Sequence, residues 1–243
     1  MRQPVLLLRM ALALGAATLL PGRGAQAEPT VITACQTISQ PGSYVLANDI
    51  GALSGPDCLT ITASFVTIDL AGFLVSGRNA IGALSSGSGR LLGITVRNGS
   101  VSGRGFAVFL QGDGSIVEGL HAFTGAGGGI AADNGIVRGN TVAGAGHSPG
   151  ISASGVVTDN YVNGVGVGIE ASGTVRGNTA IGNDIGILLF ASSTVIGNTA
   201  TGNSGVGILA DCPSNLTDNT AVGNGKNLVL NGDGCHNEDN VAP

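Results

Sequence analysis

Six asparagines, Asn140, Asn160, Asn178, Asn198, Asn219 and Asn240, recur at intervals of 20, 18, 20, 21 and 21 residues through the second half of the chain. All but the last sit in one frame, Val-x-Gly/Asp-Asn-Thr/Tyr-x-x-Gly, running from Val137 to Gly144, Val157 to Gly164, Val175 to Gly182, Val195 to Gly202 and, with Leu216 leading, to Gly223. A unit of about twenty residues holds three short strands and three turns but is too short for a helical-hairpin repeat. The chain therefore repeats one turn of a coil.

Strands follow from the pattern inside each unit. Apolar residues alternate, as in Ile187, Leu189 and then Val195, and Gly, Asn, Asp or Ser punctuates every five to seven positions. A second marker keeps the same register: Ile130, Ile151, Ile169, Ile187, Ile208 and Leu228 recur every 18 to 21 residues, most of them after a glycine. The 43 glycines oppose helix, since each costs a helix interior about 1 kcal/mol.

Stacking the coils places equivalent side chains about 4.8 Å apart along the axis. Asn140, Asn160, Asn178, Asn198 and Asn219 then form an inward ladder, each amide donating to its neighbour's carbonyl and to turn backbone. Repetition satisfies a polar group that would be costly to bury alone. Aligning Val117 with Val137 puts Leu120, and one turn earlier Gly99, where the asparagine stands. The ladder is thus expected to begin partway along a rod of roughly eight coils and roughly 40 Å.

Residues 1–27 read as a secretory leader. Arg2 and Arg9 flank or interrupt an apolar run from Pro4 to Leu20, and Ala25-Gln26-Ala27 supplies a small-residue cleavage site. Its removal takes Arg2, Arg9 and Arg23 and leaves seven basic against fifteen acidic residues, a net charge near −8. That charge disfavours nucleic acid as a partner. No membrane span is expected after cleavage, and the product is expected to be secreted or periplasmic. The remainder divides into an N-terminal cap region over 28–60, the helix proper over 61–235 and a tail over 236–243, all within one elongated domain.

Cys35 and Cys58, and Cys212 and Cys235, are each 23 residues apart, one pair near each end. A separation near one coil brings the members of a pair onto adjacent turns, and export permits oxidation, so two local disulfides are expected to brace the terminal coils. There is no Cys-x-x-Cys and no histidine cluster, so neither a metal nor a cofactor is expected.

The segments Pro-Gly-Ser-Tyr-Val-Leu-Ala-Asn-Asp-Ile (41–50), Cys-Leu-Thr-Ile-Thr-Ala (58–63) and Val-Thr-Ile-Asp-Leu-Ala-Gly (66–72) resemble the opening of right-handed parallel β-helix repeat proteins of the pectate-lyase-like superfamily. The later Gly-Asn-Thr-Ala and Gly-Ile units resemble that superfamily's repeats, so the likeness covers most of the chain after the leader. It implies an all-β, single-stranded right-handed parallel β-helix. It does not imply one reaction: the superfamily holds polysaccharide lyases, hydrolases and epimerases, periplasmic copper-site maturation proteins, adhesins and members without assigned activity.

The enzyme motifs of such families are incomplete here. No Asp-Asp pair accompanies Gly146-His147-Ser148, as inverting hydrolysis of a polygalacturonan requires. Asp113 and Asp133 stack on consecutive turns, which is a thin set for calcium. The turns are short and leave little to wall a cleft. The second frame position reads Arg97, Glu118, Arg138, Thr158, Arg176, Ile196 and Thr217, a charged outward column with Glu118 expected between Arg97 and Arg138. Arg97, Glu118, Arg138, Arg176 and Glu170 are the candidate ligand residues, toward an acidic polysaccharide or as a structural ion-pair ladder.

A second outward column, Ala131, Ser152, Glu170, Leu188, Leu209 and Val229, turns apolar toward the C-terminus. Leu188, Leu209 and Val229 are candidates for a protein partner, for self-association or for burial under the tail. A third column, Thr141, Tyr161, Thr179, Thr199 and Thr220, follows ordinary strand propensity. With no tryptophan and two tyrosines, a broad sugar-stacking platform is not expected. Two functions remain: a non-catalytic exported scaffold or glycan-binding protein, and a polysaccharide-modifying enzyme on an open face using Arg97, Glu118, Arg138 and Glu170.

Overall fold

The third frame position, Gly or Asp, is where the coil turns its first corner. Gly119, Gly139, Asp159, Gly177, Gly197 and Asp218 all take φ between 56° and 64° there. This left-handed region is open to glycine and is tolerated best by Asp and Asn among other residues. The corner reverses the side-chain alternation, so the asparagine that follows points inward.

Between such corners the chain builds a parallel β-helix. The computed structural model describes residues 28–52, 57–83, 90–144 and 146–243. The expected leader and Ala145 lie outside the described residues. About nine turns stack in parallel register, with three strands to each regular turn.

The first sheet carries the frame's Val-x pair. It runs from Thr30–Ile32 through Val66–Asp69 and the first part of Ile116–Thr124 to Asn215–Thr217 and His236–Glu238. The second sheet follows the asparagine corner, from Ile50–Gly51 to Thr220–Val222. The third carries the Gly-Ile marker, from Gln36–Ile38 to Lys226–Asn231. The region over 28–60 supplies strands to all three sheets, which accounts for a turn more than the eight expected. The tail also joins the rod: His236–Glu238 pairs with Asn215–Thr217, and Val241 bridges Thr220.

The core is built of stacked aliphatic columns, with two of them on the third sheet. Val175, Ala180, Ile187 and Leu189 are fully buried within successive sheets, and their equivalents repeat above and below. Each large aliphatic so buried contributes about 1.5–3 kcal/mol relative to exposure. The disulfides form as expected, Cys35–Cys58 at one end and Cys212–Cys235 at the other.

The asparagine ladder runs from Asn140 to Asn240. In each rung the backbone N–H and the side-chain amide of one asparagine donate to the side-chain oxygen of the next, as from Asn140 to Asn160 at 3.0 Å each. The same amide also donates to backbone of the preceding turn, Asn140 to the Val117 carbonyl at 3.0 Å. At its start the Leu120 backbone N–H donates to Asn140, and the Leu120 side chain is buried where the amide would lie. At its end Asn240 donates to Asn237 within its own coil.

A second ladder, not anticipated from the sequence, lines the next corner. Val165 N–H donates to Asn183, Asn183 to Asn203 and Asn203 to Asn224, which turns to the local Asn227. Its corner uses the same device, with Gly164, Gly182, Gly202 and Gly223 at φ between 62° and 67°. Asn183 and Asn203 stack inward, 3% and 1% exposed.

Candidate functional site

Parallel register turns every outward side chain into a member of a column. On the first sheet Asp69, Arg97, Glu118, Arg138, Thr158, Arg176 and Ile196 occupy consecutive rungs of one column. The sequence alignment of the second frame position therefore corresponds to true neighbours.

The pairing within this column is more local than a continuous ladder. Arg97 Nε donates to Asp69 at 3.0 Å, and Arg138 Nε donates to Glu118 at 2.7 Å. Glu118 stands between Arg97 and Arg138, as expected. Arg97 turns to Asp69 on the rung before, so the expected ion-pair ladder is instead two separate pairs. Arg176 makes no ion pair among the described residues. These pairs are part-exposed, which limits each to about 0–1 kcal/mol of stability.

Two open hollows border the column. One of about 700 Å³ lies at the N-terminal end against Ser43, Thr67, Asp69 and Arg97. A second of about 330 Å³ lies at the corner against Asn98, Glu118, Gly119, Arg138 and Asp159. Neither is walled by a long loop. The carboxylates of Asp69 and Glu118 both accept from arginine.

Glu170 is not brought to this face. It stands on the third sheet between Ser152 and Leu188, in the column that continues to Leu209 and Val229. The tail does not cover that column, since it extends the first and second sheets. Asp113 and Asp133 share Arg90, at 3.0 and 3.1 Å, so one guanidinium offsets part of their combined charge. His147 lies at the second corner beside Gly166 and Asp184, along a shallow hollow. Among the described residues no helix is long and apolar enough to cross a membrane.

The family described as periplasmic copper-binding protein (NosD) matches residues 95–241. Among solved structures, the enzymatically active domain of tailspike protein 2 from bacteriophage CBA120 is similar at 12% identity with a TM-score of 0.41, over 80% of this chain and 42% of that one. Full-length tailspike protein 2 from an Escherichia coli O157:H7 bacteriophage is similar at 11% identity and a TM-score of 0.40, over 80% of this chain and 37% of that one. The chain thus spans less than half the length of either. No curated protein matches it.

The family's description calls for copper, which binds through imidazole, thiolate and thioether donors. All four cysteines are consumed in disulfides. The two methionines, Met1 and Met10, precede the described residues. His121, His147 and His236 lie on different coils, and no three His, Cys, Asp or Glu side chains cluster among the described residues. The donors present do not fit a copper site. Over more than half its length, and in its parallel β-helix, this chain nonetheless belongs to the NosD family of periplasmic proteins.

Proposed function

We propose that this protein is a non-catalytic periplasmic β-helix that binds an acidic polysaccharide along its first sheet. The observation that carries the reading is the column Asp69, Arg97, Glu118, Arg138, Thr158 and Arg176, on consecutive rungs about 4.8 Å apart. Its guanidiniums recur along the axis on a face bordered by open hollows. A uronate chain laid along the rod meets them in turn, and Arg176, which makes no ion pair among the described residues, offers a carboxylate its whole fork. Arg138 and Arg176 stand two rungs apart, a spacing suited to carboxylates that emerge on the same side at every second sugar.

The absence of walls favours an extended ligand over a small enclosed one. The ion pairs hold Asp69 and Glu118 as acceptors, which favours recognition over acid–base chemistry. Incubating the purified exported protein with uronate-containing and neutral polysaccharides tests this. Retention by the uronate polymers without new chain ends or unsaturation is the expected result. Turnover that Glu118→Gln abolishes would establish the polysaccharide-modifying enzyme instead.

A further inference from the structure

The outward side of the third sheet carries two neighbouring columns over four consecutive rungs. One runs Val167, Ile185, Val206, Lys226, and the other Glu170, Leu188, Leu209, Val229. Their neighbours Ile169, Ile187 and Ile208 point into the core at 0–1% exposure, so the two columns are the surface of this sheet. Six of the eight side chains are aliphatic. Phe190, 45% exposed, follows Leu189 at the end of the strand and lengthens the apolar area.

The two charged members stand at opposite corners of this face. Glu170 opens one column, and Lys226 closes the other, three rungs away. Neither makes an ion pair among the described residues. A patch with unlike charges at its diagonal ends and aliphatics between is complementary to itself. A two-fold axis lying in the face, at right angles to the Glu170–Lys226 diagonal, sets Glu170 of one copy over Lys226 of the second and closes the reciprocal pair. The aliphatic rows then meet across the axis. Such an isologous contact is the commonest symmetry of soluble oligomers, and a twisted sheet packs well on another at about 10 Å.

We propose that the third sheet is a homodimer interface whose occupant is a second copy of this chain. The proposal is independent of the polysaccharide reading, because the first sheet faces a different side of the rod. Burying the aliphatic rows supplies the driving force, and the two charge pairs fix the orientation and exclude other pairings.

Sedimentation velocity of the purified exported protein over a wide concentration range tests the interface. A reversible monomer–dimer equilibrium is expected, and Leu209→Asp removes the dimer while leaving the circular dichroism spectrum of the sheet unchanged. Glu170→Lys and Lys226→Glu each weaken dimerisation by roughly tenfold or more. The double charge swap carrying both substitutions restores it. A wild-type protein that stays monomeric throughout, or a double swap no tighter than its parents, overturns the proposal. So does a monomer that uses this face to hold a different protein.

Discussion

Asn160 donates twice to the single side-chain oxygen of Asn178, from its backbone N–H at 3.0 Å and from its side-chain amide at 2.9 Å. The Asn178 amide in turn donates to the carbonyls of Val157 and Arg176, at 2.8 and 3.1 Å. It also donates to the side-chain oxygen of Asn198 at 3.0 Å, so one buried side chain contacts two donors and three acceptors.

Asn178→Ala leaves all five groups without that partner. At about 1–3 kcal/mol for each unsatisfied buried group, and with some relaxation, a loss of about 3–5 kcal/mol is expected. Asn240→Ala, at the half-buried end of the same ladder, is expected to cost about 1 kcal/mol because water replaces the amide. Urea unfolding of the two variants compares them directly, and equal midpoints would contradict the ladder's role.

The second ladder makes a sharper demand. Asn203 accepts from Asn183 twice, at 3.0 and 3.1 Å, and donates to the Ala180 carbonyl at 3.2 Å. Asn203→Ala is expected to lower stability about as much as Asn198→Ala, by about 3 kcal/mol or more. A surface-loop asparagine would cost within about 0.5 kcal/mol. The unfolding midpoint separates these outcomes.

Gly99 stands where the first ladder has not yet begun. A Cβ there meets the Leu70 Cβ at 2.4 Å and the Phe73 carbonyl oxygen at 2.8 Å. Neither is the far end of a flexible chain, so Gly99→Ala forces the coils apart at a cost of about 1–3 kcal/mol. Gly125→Ala, with its nearest contact at 3.6 Å, is expected to change stability by less than about 0.5 kcal/mol. Thermal unfolding of both variants provides the contrast.

Arg176 gives the polysaccharide reading a local test. Arg176→Ala is expected to weaken polyuronate binding about tenfold, the value of one charge-assisted contact. Wild-type affinity is expected to fall as salt rises. Glu170→Gln, on another sheet, is expected to leave it unchanged. Titration calorimetry at two ionic strengths reads all three.

The first ladder and the outward columns were legible because five copies of a long frame fix their own alignment. The second ladder was not, although Asn183, Asn203 and Asn224 each follow a ladder asparagine by five residues. Beside short turns rich in glycine, an asparagine reads as loop. What reveals it as a ladder is the left-handed glycine before it, and that conformation has no sequence mark of its own. The partner of Arg97 was hidden for another reason: Asp69 lies 28 residues upstream, before the coils become regular enough to align. Glu170 was grouped with the arginines by chemistry, whereas the three-sided cross-section separates them by sheet.

The two ladders also define where this rod tolerates change. The chain takes five residues from Asn178 to Asn183, from Asn198 to Asn203 and from Asn219 to Asn224 without exception, because both corners are bolted through the core. From the third-sheet isoleucine to the next frame position it takes six residues between Ile169 and Val175 but eight between Ile187 and Val195. The third corner thus works as an expansion joint. Foreign segments grafted there, at exposed Ala191, would extend from the rod provided that the buried Ser193–Ser214 contact is kept, while the interval between the asparagines accepts no such cargo.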